Sequence, residues 1–146
     1  MTSFSQHSGL SRRRSEPEAF RARSLSVAMT VNDLDASIDW YCHAIGFVVD
    51  KVYEEGDRAT GAALKAGSVR IYLNQDDGAK GADRVKGVGM SLYFTTVQEI
   101  DALAERIKAE GWSLVSEPAD TDLGARAFRV RDPDGFVLTI SSEPSS

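Results

Sequence analysis

Few side chains in this sequence are imidazoles or thiols, the types that most often hold transition metals or activate nucleophiles, and their positions limit what they can do. The histidines are His7 and His43, and the single cysteine is Cys42. Cys42 and His43 adjoin, but successive residues of a helix point about 100° apart. His43 is therefore badly placed to take the thiol proton, and Cys42 reads as a packing residue. No Gly-x-Ser-x-Gly motif occurs, and the glycines follow no phosphate-cradling spacing. Arg70, Tyr72 and Asn74 alternate, so in a strand they share a face. There Arg70 could bind an anionic or carbonyl-bearing ligand, or pair with an acidic neighbour. Met90, Leu92 and Phe94 alternate likewise and make an apolar wall, suited to an aromatic ligand or to a plain core. Trp40 and Trp112 could stack on a planar ligand, although one on a helix and one just past a helix favour packing. Asp76 and Asp77 with Lys80 and Arg84 read as a solvated linker with local ion pairs of little individual worth.

The elements that carry these residues follow from periodicity. Leu25 to Val31 alternates as a strand. Asn32 and Asp33 can cap a helix, whose apolar stripe is Leu34, Ile38, Tyr41, Cys42 and Ile45, closed by Gly46 with Phe47 packing back. Phe47 to Tyr53, Ala59 to Ala66 and Val69 to Leu73 read as strands separated by turns at Gly56 and Gly67. A polar linker, Asn74 to Lys86, follows. The pattern then recurs: a strand over Gly89 to Thr95, a helical stripe at Val97, Ile100, Leu103, Ala104 and Ile107, and closure at Gly111-Trp112. Strands follow at Trp112 to Ser116, Ala125 to Val130 and Phe136 to Ser141. A turn-rich loop at Pro118 to Gly124 and a tight turn at Asp132-Pro133-Asp134-Gly135 separate them. The chain thus repeats a strand, helix and three strands, an α+β arrangement. One helix covers only one face of each sheet, and two curved mixed sheets leave a concave cleft of the kind that takes small molecules.

Bulk composition narrows the function. The chain has 146 residues and a net charge of −5. Residues 1–24 carry five arginines against Glu16 and Glu18, a balance of +3 that leaves −8 for the remainder. An acidic body argues against nucleic acid as the partner, and the Arg12–Arg14 run reads as part of a flexible basic tail over residues 1–24. No apolar run reaches the ~18 residues needed to span a bilayer, so no membrane partner is expected. The first residues contain no apolar core of a secretory signal, and one cysteine fits a reducing cytoplasm.

Two motifs resemble a known family. V-N-D-L-D-A-S-I-D-W-Y-C-H-A-I-G-F (Val31 to Phe47) is similar to the opening of the vicinal oxygen chelate superfamily, which joins glyoxalases, bleomycin-resistance proteins and extradiol dioxygenases. R-D-P-D-G-F-V-L-T-I (Arg131 to Ile140) resembles its C-terminal hairpin, and N-Q-D-D-G-A-K-G (Asn74 to Gly81) the linker of some small members. The resemblance covers residues 25–142 and implies two βαβββ modules in one chain, about 25–76 and 88–142, forming curved mixed sheets around a concave cleft. Metal-dependent members place His, Glu or Gln on the first and last strands of each module. The corresponding positions here are Ser26, Tyr72, Leu92 and Thr139, none a usual ligand for a divalent cation.

The resemblance therefore implies a metal-independent small-molecule-binding protein of the bleomycin-resistance type, with no catalytic residue, metal or cofactor. It would be a cytoplasmic homodimer that sequesters an apolar or aromatic ligand between its modules. The ligand-binding residues expected are Ser26, Arg70, Tyr72, Asn74, Leu92, Phe94 and Thr139. The alternative is a glyoxalase-like lyase or isomerase, or a dioxygenase-type enzyme, with an atypical or absent metal site. A third outcome is a concavity filled by the protein's own side chains, with no ligand at all.

Overall fold

The computed structural model describes residues 19–81 and 84–144, so the expected tail at residues 1–24 lies largely outside them. Strand β1 (Val27–Val31) places Val27, Met29 and Val31 toward the core and Ala28 and Thr30 on the opposite face. Asp33 then caps helix α1 (Leu34–Trp40), its carboxylate accepting from the Ala36 N–H at 3.1 Å. The Leu34 N–H, otherwise an orphan of the first turn, donates to Gln75 Oε1 at 2.9 Å.

The helix continues into a wider π-helical turn, Tyr41–Ile45, and ends at Gly46 in the left-handed region with φ 110°. The buried face differs from the expected stripe. Leu34, Ser37, Trp40, Tyr41 and Ala44 are buried, whereas Ile38, Cys42 and Ile45 are half-buried. Adjacent Trp40 and Tyr41 both point inward, their rings edge-to-face at 4.9 Å.

Strands β2 (Val48–Glu55), β3 (Arg58–Ala66) and β4 (Val69–Gln75) complete the first sheet, in the order β1-β4-β3-β2. The second module repeats it with β5 (Ser91–Thr95), helix α2 (Ile100–Ala109), β6 (Leu114–Asp120), β7 (Arg126–Arg131) and β8 (Val137–Ser141), in the order β5-β8-β7-β6. In each sheet the first and last strands pair in parallel and the other pairs are antiparallel. The result is two four-stranded mixed sheets with two helices, and no closed barrel.

Two sequence expectations differ here. Val97 precedes α2 and is 94% exposed, so it belongs to no helical stripe. Strand β6 runs on through Pro118 to Asp120, where a loop was expected. As an edge strand it loses no ladder bond at the proline, and its register shifts between Ser116 and Ala119.

One core joins both modules. Phe47 meets Phe94 edge-to-face at 6.1 Å, and Trp40 meets Trp112 at 6.0 Å. Burying such aromatic pairs is the largest favourable contribution a junction of this kind can have. The helices and the aromatic side chains behind the sheets therefore hold the modules together, leaving the other face of each sheet without a covering element among the described residues.

Candidate functional site

A cleft of about 510 Å³ opens where the edge of the first sheet faces the edge strand of the second. Val27, Val69 and Ile71 wall one side, Met90, Leu92 and Phe94 the other, and Arg70 and Tyr93 stand at its rim. The volume is within the range of small-molecule sites, roughly 300–1,000 Å³. A smaller apolar recess of about 100 Å³ adjoins it, sharing Val69, Phe94 and Thr95 and running inward to Ala44 and Ile107.

Of the expected ligand residues, Arg70, Leu92 and Phe94 line this cleft, and Ser26 lies between the lining residues Leu25 and Val27. Tyr72 and Asn74 share the uncovered face of β4 with Arg70, as their alternation predicts. Asn74 lies toward the far end, its Oδ1 filling the space that a side chain at Gly61 would occupy. Thr139 is on the uncovered face of the second sheet, outside the cleft.

Leu92 takes the plain-core alternative weighed for the apolar wall: the register sets it opposite Leu138, and Tyr93 opposite Thr139. Leu92 is 7% exposed and packs in the core with Phe94 beside it. A one-residue offset in a strand exchanges faces. Tyr93, 57% exposed, is the residue the sequence reading missed at that place. Leu92 and Phe94 reach the cleft only because β5 is an edge strand with its core side open there.

Arg70 is not free. Its guanidinium donates to Asp50 at 2.6 Å, and Lys65 lies 3.6 Å from the same carboxylate. The Tyr72 hydroxyl first, and Asp50 second, hold the Arg70 pKa above its already high ordinary value. The pairing alternative weighed for Arg70 is thus realised, leaving a cluster of one acid and two bases on this face. Cys42 is half-buried, and burial first, then Asp39, push its thiol pKa up, which suppresses the nucleophilic thiolate.

The module junction holds a polar cluster that sequence reading took for a turn and a solvated linker. Tyr41 donates to Asp132 Oδ2 at 2.6 Å, while Asp132 Oδ1 accepts from the Asp134 and Phe136 N–H groups at 2.9 Å each. Asp134 in turn accepts from the Asn32 N–H at 2.8 Å. Lys86, its side chain only 3% exposed, lies 2.7 Å from both Asp76 and Asn32 Oδ1. Burial raises the Asp132 pKa above the ordinary carboxylate value, and burial with Asp132 beside it raises that of Tyr41. The Lys86 hydrogen bond is the first cause that lowers Asp76. The linker also closes tightly: a Cβ on Gly87, φ 74°, would stand 2.5 Å from the Gly135 carbonyl carbon.

The donor set does not fit a chelated metal. Among the described residues no three His, Cys, Asp or Glu side chains come together where they could hold one. The hydroxyl groups of Ser26, Tyr72 and Thr139, with Tyr93 or Leu92 as the fourth, are poor ligands for the divalent ions that imidazole and carboxylate bind. No step through a metal follows from these residues. Nor is any helix of the described residues long and apolar enough to cross a membrane.

Comparison with known proteins bears on the fold and the family. Residues 23–140 match the family model described as the glyoxalase/bleomycin resistance protein/dioxygenase superfamily. A lactoylglutathione lyase of Arabidopsis thaliana is 25% identical over 130 residues, 85% of this chain and 45% of its own. The chain thus spans about half the length of the plant relatives it matches. A probable lactoylglutathione lyase of Vibrio cholerae is 29% identical over 132 residues, 81% of this chain and 88% of its own. Among solved structures, a virulence protein of Salmonella typhimurium aligns with a TM-score of 0.65 at 26% identity, covering 85% of this chain and 98% of that one. TioX from Micromonospora sp. ML1 aligns with a TM-score of 0.67 at 20% identity, over 83% and 98% of the two chains, a likeness of fold alone.

Proposed function

The chain belongs to the glyoxalase/bleomycin resistance protein/dioxygenase superfamily, and from that premise we propose that it binds a small apolar or aromatic molecule in the cleft between its modules without a metal. The observation that carries this reading is the pairing of an apolar-walled cleft of about 510 Å³ with a donor set that cannot chelate. Burial against Val27, Ile71, Leu92 and Phe94 supplies affinity, at about 25 cal/mol per Å² of apolar surface removed from water. Ser26, Tyr72, Asn74 and Thr139 supply polar contacts on the neighbouring sheet faces. The same reading has the protein act in the cytoplasm as a homodimer. The test is a thermal-shift screen of aromatic antibiotics and metabolites, since a ligand that binds only the folded state raises Tm with its concentration. Saturable stabilisation that Val27→Trp abolishes supports the proposal; no stabilisation by any aromatic compound sinks it.

A second reading rests on the names of the Arabidopsis and Vibrio relatives, both lactoylglutathione lyases. It requires a divalent metal on a donor set unlike imidazole and carboxylate. Metal analysis of the purified protein, with a lactoylglutathione lyase assay before and after adding divalent ions, separates the two. Stoichiometric metal and turnover establish the lyase and defeat the metal-free proposal.

A further inference from the structure

The uncovered face of the second sheet carries a straight cross-strand row. Tyr93 on β5 pairs with Thr139 on β8, Thr139 with Arg129 on β7, and Arg129 with Ser116 on β6. In the adjacent row Ser91 pairs with Val137, and Val137 with Arg131. Strand β7 sets these arginines on one face by strict alternation, since Phe128 and Val130, which alternate with them, are buried in the core. Hydroxyl groups therefore flank Arg129 on both sides, with a second guanidinium two residues along.

Neither guanidinium has an acidic partner among the described residues. Two other sheet arginines are compensated, Arg70 by Asp50 and Arg126 by Asp101 and Asp120, whereas Lys51 and Arg58 form no ion pair among the described residues. Glu117, the neighbour of Ser116, is turned to Lys108 on the helix side. Arg129 and Arg131 project from a face that no element of the described residues covers, and the row begins at Tyr93, which lines the cleft. Strands lie about 4.8 Å apart, which puts Arg129 about 10 Å from Tyr93 along the sheet.

We infer that Arg129 and Arg131, with Thr139 and Ser116, form an anion subsite for a carboxylate or phosphate group on the cleft's ligand. The ligand class is then an aromatic or apolar body with an anionic group about 10 Å from its far edge, held by guanidinium forks that match the planar oxygens. This inference rests on the cleft being the ligand site.

The test compares 1-naphthaleneacetate with the neutral 1-naphthaleneacetamide by calorimetry, on wild type, Arg129→Gln, Arg131→Gln and the charge control Arg58→Gln. Inorganic phosphate is titrated in parallel while the arginine Nε–H resonances are followed. The acetate should bind about tenfold or more tighter than the amide. Either β7 substitution should bring it to the amide's level without changing the amide, and Arg58→Gln should change nothing. Phosphate should shift the Arg129 and Arg131 resonances saturably. Equal binding of acetate and amide in wild type overturns the subsite while leaving the cleft reading intact. Saturable phosphate binding with no naphthyl contribution upholds the anion row and overturns the cleft instead. A dimer that dissociates on Arg129→Gln, with no anion effect, gives the face to a second copy and overturns the subsite.

Discussion

The two uncovered sheet faces are built by the same unit, yet they treat charge in opposite ways. On the first, Arg70 and Lys65 share Asp50, so the arginine at the cleft is already paired within the sheet. On the second, Arg129 and Arg131 face solvent with hydroxyl groups beside them and no carboxylate. A guanidinium already paired must be released before it can hold a ligand's anion, whereas an unpaired one is available at once. Duplication therefore gave one scaffold with two differently prepared faces, and the difference lies in the presence of one carboxylate, Asp50.

The most disruptive way to break this comparison is to remove what holds the faces in relation. Asp132→Ala leaves the Phe136 N–H and the Tyr41 hydroxyl without their acceptor in a buried site. We expect a loss of about 2–5 kcal/mol, from about 1–3 for each unsatisfied group. Chemical denaturation should read this directly, with naphthaleneacetate binding falling as the modules separate. Gly87→Ala acts at the same junction through sterics and its positive φ, and should cost about 3 kcal/mol, read as a Tm lower by about 10 °C.

Smaller changes exchange the characters of the faces. Ser116→Asp sets a carboxylate directly opposite Arg129 and should make the second face resemble the first. The preference for acetate over amide should vanish, with stability changing by less than about 1 kcal/mol because the pair is exposed. Asp50→Asn does the reverse, releasing Arg70 at the cleft rim. Anion affinity should rise a few-fold by calorimetry, again with a stability change under about 1 kcal/mol. If both substitutions leave the preference for acetate unchanged, charge pairing is not what distinguishes the faces.

The smallest effect is in pH. The Asp132 pKa is raised by burial, so the folded state binds more protons than the unfolded one between the ordinary carboxylate value and the raised one. Its contribution to stability falls as pH rises through that window. Asp76, lowered first by the Lys86 hydrogen bond, acts the other way. Its contribution is present above the ordinary carboxylate value and is lost as pH falls through the depressed pKa. Denaturation midpoints across the acidic range should show Asp132→Asn removing the decline on the higher-pH side and leaving the loss at lower pH.

The repeated module, both helix closures at Gly46 and Gly111 and the alternation of β4 were legible because local periodicity and glycine's access to positive φ do not depend on distant residues. The signal for the second face was also present, since Arg129 and Arg131 alternate with Phe128 and Val130, but alternation alone does not say which arginines find a carboxylate. For Leu92 the sequence left a ligand wall and a plain core open, and only pairing with β8, which sets it opposite Leu138, fixes its face. The α1 stripe lies one position from the apolar residues because small Ser37 and Ala44 take the core-facing places beside Ile38 and Ile45, and small residues give no apolar signal.

The sequence by itself determined the module, its duplication and the family, because residue types and short-range spacing settle those. Only the tertiary structure decided which charges are satisfied. Asp50 meets Arg70 across two intervening turns of chain, and Asp132 meets Tyr41 at a separation of 91 residues. Pairing at such separations depends on where strands and helices are brought together, and that is a property of packing.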